Sequence, residues 1–324
     1  MKPSVFVHSW VPDDTLAQLK ADFDVEHVDV FATGVLAPPD FARRLAGKAG
    51  LLVLGARVDE AVLMANAGTL KVVANCAVGV DNIDVPAATR NGVLVTNTPG
   101  VLTEAVADMS MALLLAVARR VVEADRFTRA GKFAGLSFPL FWGAEMSGET
   151  VGVVGMGRIG QALARRARGF GLKVVYCNRR PLDPSIERET GAEWLPLEDL
   201  LRRARYVVLL TPLTPETRHL IDAERLALMR PDSYLINISR GPVVHEAALL
   251  AALRDRRIAG AALDVFEFEP QLTLGLTELD SVVLTPHIGS ATVETRHAMV
   301  RLAARNLTAA LKGETVPNPV NKPV

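Results

Sequence analysis

Gly155, Gly157 and Gly160 stand in a G-x-G-x-x-G spacing directly after the apolar run Val151-Gly152-Val153-Val154. Entered from a strand and left through a helix, such a turn binds a dinucleotide. The first glycine permits the tight turn and the second lets the backbone approach a pyrophosphate. The third allows close packing of helix on strand, with the helix N-terminus facing the anion. The spacing alone is a weak signal, equally open to a structural glycine turn. Here an amphipathic helix follows and a further strand ends at the expected distance, which favours the dinucleotide. An NAD-selective site places Asp or Glu at that strand end, on the ribose 2′-hydroxyl. This chain has Asn178-Arg179-Arg180 instead. No carboxylate is present to repel a 2′-phosphate, and two guanidinium groups can pair with it. NADP(H) is the expected cofactor, with NAD(H) second; a solvated arginine pair is the alternative.

Three later segments carry the polar groups that hydride transfer needs. Ser233–Ile238 ends in Ser239-Arg240-Gly241, and Ala259–Leu263 runs into Asp264-Val265-Phe266-Glu267-Phe268-Glu269-Pro270. Val282–Leu284 ends in Thr285-Pro286-His287-Ile288-Gly289-Ser290. All three lie at C-terminal strand ends, where open parallel sheets bind ligands. A carbonyl receiving hydride needs a proton donor, and His287 suits near neutral pH. A carboxylate beside it favours the imidazolium and fixes the ring; Glu269 is the candidate. Arg240 can clamp a substrate carboxylate at two points. No metal is expected, since arginine and histidine already supply electrophilic assistance.

The elements that must position these groups are short apolar runs alternating with amphipathic segments. Strands are expected at Ser4–His8, Val25–Val30, Gly50–Leu54, Lys71–Ala74 and Val93–Val95. Helices fall near Asp13–Ala21, Asp40–Ala46, Asp59–Ala65 and Val85–Arg90. A second series begins at Thr150, with strands at Val151–Val154, Lys173–Cys177 and Tyr206–Leu210 and then the three strands above. Helices are expected at Ile159–Gly169, Leu197–Arg203, Asp222–Leu228, Glu246–Arg254 and Thr292–Leu311. The fold class is therefore α/β, with two doubly wound parallel-sheet domains. The pattern itself suggests a split near residue 100.

The stretch Asn75–Asp84, the segment Val151–Gly160 and the run Pro286–Thr292 together resemble the D-isomer-specific 2-hydroxyacid dehydrogenase family. The likeness spans nearly the whole chain. Within the family the sequence is most similar to bacterial glyoxylate/hydroxypyruvate reductases that also reduce 2-ketogluconate. That closer likeness rests on the opening Met-Lys-Pro-Ser-Val, Thr98–Asp108 and Asn178-Arg179-Arg180. The resemblance implies a Rossmann nucleotide-binding domain over 100–287 and a smaller flavodoxin-like substrate domain from 1–99 plus 288–324. It implies that Arg240 binds the 2-oxo acid, His287 donates the proton and Glu269, just before proline, pairs with His287. Glu267 is the less favoured acid. The Val78 and Gly79 amides would hold the substrate carboxylate. Thr103, Arg158, Ile159, Thr211, Pro212, Thr217, Ile238, Asp264 and Ser290 would join the glycines and Asn178–Arg180 around the cofactor. Formate dehydrogenases carry glutamine where Glu269 stands here, which argues against them. Phosphite or 3-phosphoglycerate oxidation stays open, although the chain lacks the regulatory extension of many phosphoglycerate dehydrogenases. A nicotinamide-sensing binding protein is the rival from another class.

Of 324 residues, 36 are Lys or Arg and 36 Asp or Glu. That balance gives no basic excess for nucleic acid. With 49% hydrophobic and 22% charged residues the chain is not disordered. Cys76 and Cys177 are isolated, suggesting neither a disulfide framework nor a metal site. Leu102–Arg120 is apolar but interrupted by Glu104 and Asp108, and too short in its apolar part to span a bilayer. Its breadth fits a core helix or the interface of a homodimer. No membrane partner is expected, and the N-terminus reads as a strand, so a cytoplasmic protein is expected. Phe141 and Trp142 suit either local packing or, by the resemblance, the cap of a neighbouring subunit's pocket. Arg57 is a candidate for the far end of a sugar acid. His8, His219, His245 and His297 read as surface or packing residues.

Overall fold

The computed structural model describes residues 1–34 and 36–323; Val35 and Val324, both in the expected discontinuous domain, lie outside the described residues. The chain divides into two compact units, Met1–Leu102 with Ala291–Val324, and Thr103–Ser290.

The first unit opens with β1 (Ser4–His8), α1 (Asp13–Asp22), β2 (Asp24–Val28) and a single turn α2 (Val30–Thr33). It continues through α3 (Pro38–Leu45), β3 (Gly50–Val53), α4 (Glu60–Ala65), β4 (Val72–Asn75), α5 (Val85–Arg90) and β5 (Leu94–Thr96). The strands form a parallel sheet in the order β2-β1-β3-β4-β5. β3 and β4 are buried throughout, as the central strands of a sheet covered on both faces must be. The strand expected to run to Val30 stops at Val28. Asp29 accepts a hydrogen bond from the Phe31 N–H and starts α2.

The second unit begins with α6 (Thr103–Ala118) and α7 (Val121–Arg129), the latter not foreseen. Then come β6 (Thr150–Val154), α8 (Arg158–Gly169), β7 (Lys173–Cys177), α9 (Pro184–Thr190) and β8 (Ala192–Trp194). The series closes with α10 (Leu197–Arg203), β9 (Tyr206–Leu209), α11 (Ala223–Leu228), β10 (Tyr234–Asn237), α12 (Glu246–Arg254), β11 (Gly260–Leu263) and β12 (Val282–Leu284). Its seven strands are parallel, in the order β12-β11-β10-β9-β6-β7-β8. α9 and β8 also escaped prediction: Pro-Ser-Ile-Glu-Arg-Glu-Thr has almost no apolar periodicity, and a three-residue edge strand leaves little signal. The breadth of α6 has an internal explanation. Val106, Met111, Leu113, Leu114 and Val117 are buried, and the helix packs on α8 and on β10, β11 and β12 of its own unit.

The last helix, α13 (Val293–Lys312), returns to the first unit. Its buried face, including Met299, Val300, Ala303 and Leu307, lies on β3 and β4. Asn306 Nδ2 donates to the Asn97 carbonyl at 3.0 Å. The tail then closes the sheet edge: the Val320 N–H donates to the Val95 carbonyl, and the Val95 N–H to Asn321 Oδ1. Relative to 1–99 plus 288–324, the observed division falls three residues later at each crossing. Ile288 and Gly289 stay with the second unit because their N–H groups donate to Asp264. Among the described residues no helix is long and apolar enough to cross a membrane, and no cluster of His, Cys, Asp and Glu is fit to hold a metal.

Candidate active site

β6 has β9 on one side and β7 on the other, so the strand order reverses there, and the glycine turn leaves from its C-terminal end. Gly155 has φ +105°, and a Cβ on it would lie 2.7 Å from the Leu210 carbonyl carbon. A Cβ on Gly160 would lie 2.6 Å from the Gly155 oxygen. Gly157 differs: it is exposed, and a Cβ there would meet nothing within 4 Å. The space over its backbone is therefore open to a ligand. It is the N-cap of α8, with no side chain capping the first turn, which suits a pyrophosphate. Arg158 and Ile159 open that helix. Asn178 Oδ1 accepts the Met156 N–H at 2.7 Å, tying the end of β7 to the turn. The Trp194 indole donates to the Asn178 carbonyl, and Tyr176 Oη accepts from the Leu182 N–H. Arg179 and Arg180 are exposed on this braced loop.

The three catalytic candidates come together through the sheet register. Asn237, Leu263 and Leu284 are level across β10, β11 and β12. Arg240 and His287 each stand three residues past that line, and Glu269 six past it. Asn237 Nδ2 donates to the Arg240 carbonyl, and Arg240 Nη1 to the Ser239 carbonyl at 2.8 Å. Glu269 Oε2 lies 3.0 Å from His287 Nδ1, while Oε1 accepts the Phe266 N–H at 2.9 Å. Burial pushes the Glu269 carboxyl up. The bonds from His287 and Phe266 and the charges of His287 and Arg240 outweigh it, so the group sits below the usual carboxylate range.

Asp264, buried at the end of β11, anchors the histidine turn. It accepts from Thr285 Oγ1 at 2.6 Å and from the Ile288 and Gly289 N–H groups at 2.8 and 2.7 Å. The Asp264 carbonyl takes the His287 N–H. His287 itself is held at φ +54°, an uncommon backbone state that such a network can sustain. The Thr217 hydroxyl donates to the Pro212 carbonyl and accepts the Thr214 N–H, shaping the turn after Thr211. Ile238 and Ser290 follow β10 and β12, and Thr103 starts α6.

In the first unit, Val78 and Gly79 follow β4, half-buried. Their carbonyls accept from Asn97 and Asn75. No protein acceptor meets either N–H group among the described residues. Arg57 is exposed, 3.8 Å from Asp59. Phe141 packs edge-on against Phe127 with Arg120 over its ring, whereas Trp142 is exposed. His8 is buried between Phe6 and Phe41, and His297 packs on Trp10. Burial pushes the Cys76 thiol up to about 12, against the opposing charge of Arg296, so it is no nucleophile near neutral pH. His219 and Glu267 are bonded to each other, a pairing the sequence reading missed; 48 residues separate them and no local pattern marks it.

Residues 111–289 match the family described as D-isomer specific 2-hydroxyacid dehydrogenase, NAD binding domain. A glyoxylate reductase of Pyrococcus furiosus is 48% identical over 100% of this chain and 97% of its own. A solved protein of Thermus thermophilus is 44% identical, with TM-score 0.89, covering 98% of this chain and 100% of that one. The NADPH-dependent glyoxylate/hydroxypyruvate reductase of Sinorhizobium meliloti, solved in complex with NADP and malonate, is 35% identical. Its TM-score is 0.86, over 99% of this chain and 97% of its own. With a nucleotide turn, an Arg–Glu–His set and end-to-end likeness of this kind, the chain belongs to the D-isomer-specific 2-hydroxyacid dehydrogenase family and is an oxidoreductase.

Proposed function

We propose that the chain reduces small 2-oxo acids to D-2-hydroxy acids with NADP(H) in preference to NAD(H). Glyoxylate and hydroxypyruvate are the first candidates and 2-ketogluconate a longer one. The observation that carries this reading is the 3.0 Å Glu269–His287 contact, one strand from Arg240. When bound, the cofactor supplies the hydride to the carbonyl carbon. With Nδ1 engaged by Glu269, the proton given to the substrate oxygen is the one on Nε2. Arg240 holds the substrate carboxylate and stabilises negative charge as it develops on the carbonyl oxygen. Arg179 and Arg180, with no acidic residue at the end of β7, are assigned the 2′-phosphate. The Sinorhizobium relative, named NADPH-dependent and solved with NADP, supports the preference for NADP(H).

The test is oxidation of NADPH and NADH by the purified protein against the three acids. The expected result is turnover with glyoxylate or hydroxypyruvate at a kcat/KM at least about tenfold higher with NADPH, from the charge-assisted arginine contacts. Equal or better use of NADH removes the arginine assignment. Absence of turnover shifts the reading to phosphite or 3-phosphoglycerate oxidation. Leu136, Phe138 and Trp142 are 97%, 87% and 67% exposed in one segment, which supports a homodimer. A monomer in sedimentation at micromolar concentration would remove that assignment.

A further inference from the structure

Behind Arg240 and Glu269 lies a polar cluster to which the reaction assigns no part. His219, at φ +51°, donates its N–H to the Pro242 carbonyl at 2.7 Å and places Nε2 2.6 Å from Glu267 Oε1. Glu267 and Glu246 are both buried and exchange hydrogen bonds. The Glu246 N–H donates to Glu267 Oε2 at 3.0 Å, and the Glu267 N–H to Glu246 Oε1 at 2.6 Å. The Thr273 hydroxyl donates to Glu246 Oε2 at 2.6 Å. The His245 ring packs edge-on against His219, 4.7 Å between centroids.

These bonds join three strand-end segments that each carry part of the site. His219 ends the turn that begins at Thr211 and Pro212. Pro242 lies two residues from Arg240, and Glu267 two from Glu269. The contact between the last two segments is backbone on backbone. A Cβ on Gly241 would lie 1.8 Å from the Phe266 carbonyl and 2.4 Å from the Glu267 nitrogen. The peptide next to Arg240 thus rests directly on the loop holding Glu269, and the Glu267–Glu246 exchange ties that loop to the start of α12. Stability alone is a poor reason for such an arrangement, because apolar side chains fill a buried space at no desolvation cost.

We propose that His219, Glu267 and Glu246 form a clasp that fixes the spacing between Arg240 and Glu269, with Glu267 as the positioning residue at its centre. The part this spacing plays rests on the 2-oxo acid reading above. None of the three side chains touches the substrate; they act through Arg240 and through the Glu269–His287 pair.

The test compares His219→Ala, His219→Gln and Glu267→Gln with the wild-type protein. Glutamine at 219 keeps an N–H for Glu267, so it serves as the conservative rescue. Three quantities are measured: kcat and KM for glyoxylate with NADPH, the NADPH Kd by fluorescence, and the His287 imidazole 15N resonances, with Glu269→Gln as reference. In His219→Ala, kcat/KM should fall about 100-fold, the cost of misplacing reacting groups by about 1 Å, while the NADPH Kd stays within about threefold. The His287 resonances should move toward those of Glu269→Gln, and His219→Gln should restore both rate and resonances. Unchanged rate and resonances in His219→Ala and Glu267→Gln would overturn the clasp, as would an equal loss in the rescue variant. Should the wild-type protein turn over none of the acids, the 2-oxo acid reading fails. The His287 resonances then decide the clasp alone.

Discussion

Replacing Glu269 with glutamine keeps the side-chain shape and removes one charge. In the folded protein Oε1 accepts the Phe266 N–H at 2.9 Å and Oε2 meets His287 Nδ1 at 3.0 Å. Glutamine has one oxygen to offer, and the backbone N–H of Phe266 has first claim on it. The amide NH2 then faces His287 Nδ1, a position that suits a neutral ring and opposes the imidazolium. The loss is one hydrogen bond to a charged group, about 1.5–3 kcal/mol. The two side chains are 36% and 50% exposed, so solvent screening favours the low end. About 1.5 kcal/mol corresponds to roughly tenfold in kcat/KM for reduction at neutral pH. The sign follows from the proton-donor role proposed for His287: if reduction consumes its imidazolium, the alkaline limb of the reduction pH profile should move to lower pH. Oxidation of the 2-hydroxy acid, which needs the neutral ring, should suffer less. The assay is NADPH oxidation and reduction in both directions between about pH 5 and 9, spanning the histidine range. A variant within twofold of wild type with an unmoved alkaline limb would refute the pairing as a source of proton transfer.

Arg240→Lys keeps the charge but loses the planar two-point fork; kcat/KM for glyoxylate should fall about 100-fold or more while NADPH binding is kept. Steady-state kinetics with a fluorescence titration would check it, and full activity would exclude the clamp. His8 is buried with both ring nitrogens lacking a protein partner, and burial holds its pKa below the ordinary histidine value. The unfolded chain therefore binds the extra proton more readily. Its stability contribution is complete above about pH 6.5 and is lost as pH falls below that, with a slope of at most about 1.4 kcal/mol per unit. Urea unfolding of wild type and His8→Leu from pH 5 to 8 should show the variant with the flatter dependence. Parallel curves would assign the acid sensitivity elsewhere.

The parts of the fold written in local pattern were legible in the sequence. The β6–α8 turn was readable because its glycines answer to backbone demands within six residues. Arg240, Glu269 and His287 could be named as candidates because each lies in the loop that follows its own strand. Asp29 was hidden inside an apolar stretch that looked like one strand, because a cap is a single side chain's bond and leaves no periodicity. α6 looked equally suited to core or interface because an all-round apolar helix reports burial without naming its neighbour. His219 looked like a surface or packing residue, since its partner Glu267 arrives only when β9 and β11 come to lie on either side of β10. Asp264 was named only for the cofactor cleft; that its carboxylate also accepts from the histidine turn is a bond that sequence spacing does not encode.

The return of α13 has a consequence for biosynthesis. The sheet β2-β1-β3-β4-β5 emerges from the ribosome first, but the helix covering β3 and β4, and the tail pairing with β5, come last. About 190 residues intervene, which at about 5–20 residues per second is a wait of roughly 10–40 s. Through that interval the nascent sheet shows an uncovered apolar face and an open strand edge, while the contiguous second unit can complete itself. Chaperone dependence in the cell should therefore map to the first hundred residues. A circular permutant that places 291–324 ahead of Met1 should shed much of it.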